Sequence, residues 1–406
     1  MHVLDRFLKY VSFDTGSDAA SPTIPSTEKQ KALGQFLVSE MLQMGISDAH
    51  MDEQGYVYGS IPANTQKPAP KIGLIAHMDT VSDVPCGNIK ARVVEQYDGG
   101  DILLNAEKNI LLSPKQYPDL LKYRGDSLVV TNGTTLLGAD DKAGIAEILS
   151  AAEALLEGDA PHGEVKLAFT PDEEIGRGPD AFRVPHFGAD YAYTVDGGEL
   201  GELEYENFNG ADAKVLVHGR NIHPGVAKGQ MKNAMLMAME FNAMLPSFEI
   251  PANTEGYEGF YHLTDMRGDV EQAELCYIIR DHDAQKYQQK KQLFCSIGAF
   301  LNEKYGQGTF EVAVTDRYAN MKEKILPHME IIERAKAAMQ KAGVQPKVQP
   351  IRGGTDGATL SFMGLPCPNL CTGGHNFHGR FEYISVQSME KITQILLNLV
   401  YGALEE

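Results

Sequence analysis

Acidic and imidazole side chains directly follow several short apolar segments of this chain. In the stretch KIGLIAHMDT, the apolar residues 72–76 end at His77, and Asp79 follows two residues later. Four other motifs have the same form and contribute Asp140 and Asp141 in LLGADDKAG, Glu173 and Glu174 in LAFTPDEEIG, Asp196 in YAYTVDGG, and His375 and His378 in TGGHNFHGRFE. Ligand sites of open α/β sheets lie beyond the carboxyl ends of the strands. The pattern therefore predicts a sheet that brings these side chains into one crevice.

Strand and helix patterns alternate around these motifs. Apolar segments at 165–170 and 191–195 predict strands, and apolar residues at helical spacing predict a helix over 142–156. Thr27 and Gln30 have the spacing of a capping box at the start of an earlier helix. The alternation predicts an α/β fold with a mostly parallel sheet.

The pattern changes between residues 209 and 320. Within this segment the predicted elements follow in the order β-α-β-β-α-β, at residues 213–218, 233–245, 260–266, 274–280, 284–305 and 310–315. This is the order of a ferredoxin-like sandwich, and a chain of 406 residues is too long for one ordinary core. We therefore predict a catalytic domain at 1–208 and 321–406, with a ferredoxin-like α+β domain inserted at 209–320.

The net charge and the cysteine content exclude several classes of function. A formal net charge of −19 argues against binding to nucleic acid or to an anionic membrane surface, because both need a basic patch. No apolar run reaches the roughly 18 residues of a membrane span, and the N-terminal MHVLDRFLKYVSFDTG is too charged for a signal peptide. The 5 cysteines at irregular spacing predict reduced thiols in a cytoplasmic protein.

The crowding of carboxylates in the predicted crevice indicates a metal site. Several carboxylates close together are unfavourable unless protons or cations compensate their charge. Mixed histidine and carboxylate ligands suit zinc or another first-row metal ion. The motifs offer more ligands than one catalytic zinc needs, whereas two metal ions about 3.5–4 Å apart, bridged by one carboxylate, would use them.

Glu173 and Glu174 then need different roles. Adjacent residues of an extended chain point in opposite directions, so one of them can bind metal while the other takes a proton from the attacking water. The residues alone leave open which does which. Asp79 can hold the His77 ring through its second nitrogen.

Seven motifs together resemble those of the M20 metallopeptidases: HMDT, GADDKAG, TPDEEIG, VDGGELGE, HPG, GGTDGATL and HGRFE. The resemblance extends over the whole chain and implies two zinc ions, which Co²⁺ or Mn²⁺ can replace. It also implies a cis peptide bond between Asp140 and Asp141. The roles that it implies are His77 and Asp196 as ligands of one ion, Glu174 and His378 as ligands of the other, Asp140 as the bridging ligand, Glu173 as the general base, and Asp79 as the residue that orients His77.

The last ligand and the substrate contacts also follow from the resemblance. His378 is preferred over His375 because a glutamate follows it in the family pattern. In the inserted domain, His223 would reach the scissile carbonyl and Arg280 would bind a substrate carboxylate. The further candidates for substrate binding are Asn320 and Arg352, the latter because an arginine can bind both oxygens of a carboxylate.

Within the M20 family, the motifs are nearest to those of tripeptide aminopeptidases. The resemblance thus predicts a cytoplasmic dizinc aminopeptidase of peptide catabolism, with the inserted domain as a lid that closes on the peptide and as the contact of a homodimer. The alternatives are another M20-type dipeptidase, an N-acyl amino acid deacylase, and a catalytically silent metal-binding or dimerisation module. The presence of Glu173 at the base position argues against the last of these.

Overall fold

The computed structural model describes residues 1–404, and the polypeptide forms two units. Unit 1 consists of Met1–Tyr205, Glu323–Gln349 and Thr355–Glu406. Unit 2 consists of Glu206–Lys322 together with the short segment Pro350–Gly354. The domain boundaries predicted from the sequence do not assign this short segment to the inserted domain.

Strands and helices alternate along both units. In chain order the strands are β1 (His50–Met51), β2 (Val57–Ile61), β3 (Ile72–His77), β4 (Arg92–Val94), β5 (Ile102–Asn105), β6 (Ile110–Leu112), β7 (Leu128–Val130), β8 (Val165–Thr170), β9 (Tyr191–Gly197), β10 (Glu202–Glu204), β11 (Asn209–His218), β12 (Phe260–Gly268), β13 (Gln272–Asp281), β14 (Phe310–Tyr318), β15 (Lys347–Val348), β16 (Asn369–Cys371), β17 (Gly374–His375) and β18 (Tyr383–Ser385). The α-helices are α1 (Val3–Tyr10), α2 (Gln30–Gln43), α3 (Ala139–Glu157), α4 (Val184–Phe187), α5 (Ala234–Ala243), α6 (Ala284–Tyr305), α7 (Lys322–Ile325), α8 (Met329–Lys341), α9 (Asp356–Phe362) and α10 (Val386–Gly402). Within residues 1–404, no helix has both the length and the apolar character that crossing a membrane requires.

One eight-stranded sheet forms the centre of unit 1, in the order β1-β2-β8-β3-β9-β16-β10-β15. The central strands β8, β3, β9 and β16 run parallel to one another. Towards the edges, β1–β2, β2–β8 and β10–β16 pair antiparallel, so the sheet is mixed. Every residue of β3 is buried, as expected for a parallel strand that is covered on both faces.

The pairing register of β8, β3 and β9 places their carboxyl ends side by side. His77, the last residue of β3, lies opposite Thr170 at the end of β8. On the other side of β3, Ile75 lies opposite Thr194 of β9, so Asp196 comes level with His77. Side chains at the ends of these three strands therefore meet at one edge of the sheet, where ligand sites of such sheets lie.

A second β region of unit 1 was not indicated by the sequence patterns. Strands β17, β18, β7 and β4 form a four-stranded sheet in that order, and β5 pairs with β6. An apolar cluster beside them includes Tyr97, Leu112 and Tyr383. Strands β4, β6, β7 and β18 have three residues each, which is too short for an alternating apolar pattern to be recognisable.

Unit 2 has the element order β11-α5-β12-β13-α6-β14. Its strands form an antiparallel sheet in the order β12-β13-β11-β14, which is the arrangement of a ferredoxin-like sandwich. Along β13 buried residues alternate with more exposed ones, because one face of the sheet packs against α5 and α6. Phe241, Phe294 and Phe310 lie in the core between the sheet and these helices.

Candidate metal centre and active site

Three side chains converge where the central strands of unit 1 end. His77 Nε2 lies 2.9 Å from Asp140 Oδ1 and 3.5 Å from Asp196 Oδ1. His77 belongs to β3, Asp196 to β9, and Asp140 to the first turn of α3. One ligand atom from each residue lies within 4.8 Å of the other two. An imidazole and two carboxylates at such distances can hold a metal ion.

A second group of ligand atoms shares Asp140 with the first. His378 Nε2 lies 3.2 Å from Asp140 Oδ2 and 3.0 Å from Glu174 Oε2, and these atoms again lie within 4.8 Å of one another. The other oxygen of Glu174 is buried and has no hydrogen-bond partner within residues 1–404. Leaving such an oxygen without a partner costs free energy, so the second group also has the character of a cation site.

Asp140 gives one carboxylate oxygen to each group. Its backbone angles, φ −83° and ψ 103°, are not helical and interrupt the start of α3. The peptide bond to Asp141 is cis, as the family resemblance implies. Histidine nitrogens and carboxylate oxygens in this combination suit zinc and neighbouring first-row ions. The residues therefore fit a pair of divalent cations with Asp140 between them.

The ionisable groups of the centre perturb one another strongly. Burial raises the pKa of Asp196 to about 6 and the pKa of Glu174 to about 7. Hydrogen bonds with Asp140 and Glu174 raise the pKa of His378 to about 11. Burial opposes the ionisation of Asp140, but hydrogen bonds with His378 and His77 hold its pKa below the usual range. Protons or cations must therefore compensate the negative charge of these carboxylates, and divalent cations are one such compensation.

Asp79 connects the two metal-binding groups through hydrogen bonds. Its buried carboxylate accepts one from the backbone N–H of Glu173 at 2.9 Å and one from that of Glu174 at 3.2 Å. His77 Nδ1 hydrogen-bonds to the backbone carbonyl of Asp79 at 3.1 Å, and Oδ1 of Asp79 lies 3.4 Å from the same nitrogen. Asp79 therefore contacts both the His77 ring and the turn that carries the two glutamates. The contact with His77 was expected from the sequence, and the contacts with the turn were not.

Glu173 lies beside the metal-binding groups without belonging to either of them. It begins a short 3₁₀ turn, Glu173–Ile175, just after β8. Burial, followed by the negative charges of Asp196 and Asp356, raises the pKa of its carboxyl group well above the usual value. A partly buried carboxyl group with a perturbed pKa beside a candidate ligand site is typical of proton-transfer residues.

The residue before Glu173 has a backbone conformation that is rare for a residue with a side chain. Asp172 has φ 61° and is fully buried. Its carboxylate accepts hydrogen bonds from Ser26 N at 2.6 Å, Ser26 Oγ at 2.5 Å and Gln30 Nε2 at 2.7 Å. In return, the Asp172 backbone N–H donates to Gln30 Oε1 at 3.2 Å. This network offsets the strain of the left-handed backbone and fixes the turn that presents Glu173.

Gln30 also corrects one interpretation of the sequence. The predicted capping box of Thr27 and Gln30 is wrong, because α2 begins at Gln30 and has no side-chain capping bond. Instead, the Thr27 hydroxyl donates to the carbonyl of Gly16, and the Gln30 amide binds Asp172. In the sequence, Thr27 and Gln30 appear only as polar residues near the start of a helix. That pattern predicts a helix cap and gives no sign of the hydrogen bonds with Gly16 and Asp172.

Asp356 of the GGTDG motif is another buried carboxyl group beside the centre. It is 4% exposed, and its Oδ2 accepts a hydrogen bond from Thr170 Oγ1 at 3.1 Å. Burial raises the pKa of Asp356 to about 8. Gly178 packs so closely that a Cβ there would lie 2.1 Å from Asp356 Oδ2. The GGTDG motif is part of the family resemblance, but the sequence predicts no role for Asp356.

The two histidines of the last motif have different surroundings. His378 belongs to the second metal-binding group, whereas His375 belongs to neither group. His375 Nε2 lies 2.5 Å from the hydroxyl of Tyr123, and its ring stacks on Tyr383 at 4.9 Å. Burial lowers the pKa of His375. His375 is thus part of the aromatic packing of the smaller sheet.

The residues expected to bind substrate belong to unit 2. The Arg280 guanidinium lies 5.9 Å from each of the rings of Phe260 and Tyr318. Its Nη1 donates to the carbonyl of Arg352 at 3.0 Å, and its Nε has no hydrogen-bond partner in the described part of the chain. This Nε is buried, so the Arg280 guanidinium carries one buried donor without a partner among the described residues.

The other three residues that we expect to bind substrate differ in their hydrogen bonds and exposure. Arg352 donates to the backbone carbonyls of Thr254, Gly256 and Glu258. Asn320 accepts from the backbone N–H of Asn207 and donates to the carbonyl of His282. His223 is exposed, and its Nδ1 accepts a hydrogen bond from the N–H of Gly225. Arg352 and Asn320 thus stabilise the loops of unit 2.

Comparison with known proteins finds a matching family model, similar sequences and similar solved structures. A family model described as Peptidase family M20/M25/M40 matches residues 130–402. Peptidase T of Alkaliphilus oremlandii is 58% identical over 402 residues, which are 98% of this chain and 98% of that protein. Among solved structures, aminopeptidase PepT from Bacillus cereus has a TM-score of 0.78 at 22% identity, covering 100% of this chain and 98% of that one. A tripeptidase from Staphylococcus aureus has a TM-score of 0.81 at 20% identity, with the same coverage.

Proposed function

This chain belongs to peptidase family M20/M25/M40, and on that premise we propose that it is an aminopeptidase that removes the N-terminal residue from tripeptides. Its relative at 58% identity is called Peptidase T, and two proteins of similar fold are called an aminopeptidase and a tripeptidase. The observation that carries the proposal is the position of Asp140, whose two oxygens belong to two different groups of metal-binding side chains.

The two groups would hold two divalent cations, which we take to be Zn²⁺ with Co²⁺ or Mn²⁺ as substitutes. His77 and Asp196 would bind one ion, Glu174 and His378 the other, and Asp140 both. Neutral imidazole and carboxylate are ligands that zinc prefers. When bound, such a pair of cations lowers the pKa of a water molecule and polarises the substrate carbonyl.

Glu173 is the general base in this proposal. It takes a proton from the water that attacks the scissile carbonyl, and it delivers a proton to the leaving amine. Asp79 supports this role because it holds the Glu173 backbone and the His77 ring in fixed positions. The hydrogen bonds of Asp172 hold the same turn from the other side.

For the substrate, the proposal keeps the roles that the family resemblance implies for unit 2. Arg280 binds a substrate carboxylate, because a guanidinium can bind both oxygens of a carboxylate. His223 reaches the scissile carbonyl, while Asn320 and Arg352 complete the binding residues. Unit 2 would serve as the lid and as the contact of a homodimer, and the enzyme would be cytoplasmic.

A comparison of peptide lengths tests the substrate class. We expect kcat/KM for tripeptides to exceed that for matched di- and tetrapeptides by roughly 100-fold or more, because a peptide of the wrong length leaves a charged group of the site unpaired. Acetylation of the N-terminal amine is expected to abolish cleavage. Chromatography of the released amino acids measures both effects.

The same comparison decides between the proposal and its alternatives. A preference for dipeptides would favour a dipeptidase, and hydrolysis of the acetylated peptide would favour a deacylase. If the metal-loaded protein hydrolyses none of these compounds, the catalytically silent module becomes the better interpretation.

A further inference from the structure

The segment that leads to Asp140 directs consecutive backbone N–H groups at one buried carboxylate. Glu382 is 2% exposed. Its Oε2 accepts hydrogen bonds from the N–H groups of Leu137 at 2.7 Å and Gly138 at 2.8 Å. Its Oε1 accepts from those of Ala139 at 2.7 Å and Asp140 at 3.2 Å. Gly138 has φ 78°, and this left-handed residue turns the N–H groups to a common side, where they form an anion-binding concavity.

Glu382 also connects the two segments that meet at the second metal-binding group. It lies in the same motif as His378, four residues further along the chain. It directly precedes β18, which is fixed to β7 by antiparallel pairing, with Tyr383 opposite Val130. The four hydrogen bonds fasten this segment to the start of α3, where Asp140 Oδ2 lies 3.2 Å from His378 Nε2. The relative position of these two side chains thus depends on Glu382.

Only a carboxylate matches this arrangement. Each oxygen of Glu382 accepts two N–H groups, so both oxygens are needed as acceptors. A glutamine would place an N–H₂ group, which can only donate, against two of the four N–H groups. The buried donors would then lack partners, and the segment would have to shift to find others.

We infer that Glu382 is a positioning residue that holds the Asp140 carboxylate between His77 and His378, and through Asp140 sets the affinity for the cations and the turnover rate. The inference rests on the proposed function, since it assigns Asp140 the place between two cations. It extends that function to a residue that touches neither substrate nor metal.

The test compares Glu382→Gln with a matched control, Glu147→Gln. Glu147 lies on α3 and is also fully buried, but neither of its oxygens has a hydrogen-bond partner within residues 1–404. Both variants replace a buried carboxyl group by an amide in the same part of unit 1. For Glu382→Gln we expect kcat on a tripeptide to fall by about 10- to 100-fold, with KM changed by less than about threefold, as is typical for residues that orient metal ligands. Glu147→Gln should retain the original kcat.

Titration of the metal-free proteins with Zn²⁺ in competition with a chromophoric chelator gives a second readout that needs no peptide. We expect Glu382→Gln to bind the weaker of its two cations about 10- to 100-fold less tightly, and Glu147→Gln to bind both normally. Glu382→Asp keeps the charge and both oxygens, so its kcat and affinity should lie between those of Glu382→Gln and the original protein.

Several outcomes would overturn the positioning role. One is a Glu382→Gln protein with kcat and zinc affinity within twofold of the original, and another is an equal loss in Glu147→Gln. Unfolding of both Glu382 variants, seen by circular dichroism, would make this residue a determinant of the fold instead. If the unmutated protein cleaves no tripeptide, the proposed function fails, while the zinc titrations still decide the role of Glu382.

Discussion

Replacement of Glu173 by glutamine is expected to lower kcat for tripeptide hydrolysis by roughly 10²- to 10⁴-fold, the range that general acid–base catalysis contributes. Glutamine has almost the same shape but cannot take a proton from water. The cations should remain bound, because Glu173 belongs to neither metal-binding group. The turn should also persist, since Asp79 binds the backbone N–H of Glu173 and not its side chain. Steady-state kinetics and metal analysis on the same sample measure both effects.

Two further variants show whether the effect is specific. Glu157→Gln changes an exposed glutamate at the end of α3 and should leave kcat unchanged. Glu174→Gln alters the neighbouring residue, which belongs to the second metal-binding group, and should lower the metal content as well as kcat. The assignment of the base fails if Glu173→Gln retains kcat within tenfold of the original value.

Replacement of Asp140 by asparagine is expected to affect both metal binding and catalysis. The side chain would keep one oxygen for one group, but a neutral N–H₂ would replace the oxygen that now lies near His77 or His378. We expect tight binding of only one cation. The loss of kcat should exceed the roughly 10- to 100-fold loss that is typical for residues that merely support a ligand. Calorimetric titration with Zn²⁺ gives the stoichiometry.

Asp159→Asn is the matched control for this variant, because Asp159 is exposed in the loop after α3. It should bind two cations and keep the original kcat. An Asp140→Asn protein that binds two cations tightly and turns over tripeptides at a similar rate would show that Asp140 does not bridge the site.

The sequence predicts the candidate metal ligands His77 and Asp196 from their positions at the ends of apolar segments. In β3, five buried residues precede His77, and the boundary between apolar and ionisable residues is visible without any structure. The common register of β3, β8 and β9 then brings the strand ends together. Parallel strands in one sheet follow this rule generally, so the places of His77 and Asp196 follow from their own strands, whereas Asp140 lies in the first turn of α3.

The residues that hold these side chains in place left no comparable pattern. Gln30 and Asp172 are 142 positions apart in the chain, and Glu382 binds N–H groups more than 240 positions before it. The donors to Glu382 belong to the backbone, which every residue except proline carries. Side-chain periodicity therefore contains no information about which carboxylate accepts them.

Patterns in the sequence also do not predict very short strands or pairings between residues that are far apart in the chain. The three-residue strands of the smaller sheet are shorter than the roughly four residues over which an apolar alternation becomes recognisable. Pro350–Gly354 belongs to unit 2 because Ile351 pairs with Asn207 and Arg352 binds the loop at Thr254. Both contacts join residues that are distant in the chain, and neither has a local signal.

A metal titration of the unmutated protein tests most directly whether Asp140 joins two cation sites. The protein is first treated with a chelator, and bound Zn²⁺ and tripeptidase activity are then measured after each addition of metal. If Asp140 joins two cation sites, the metal-free protein is inactive, two ions bind per chain, and full activity returns only with the second ion. Full activity without metal, or saturation at one ion per chain, would contradict the two-cation centre.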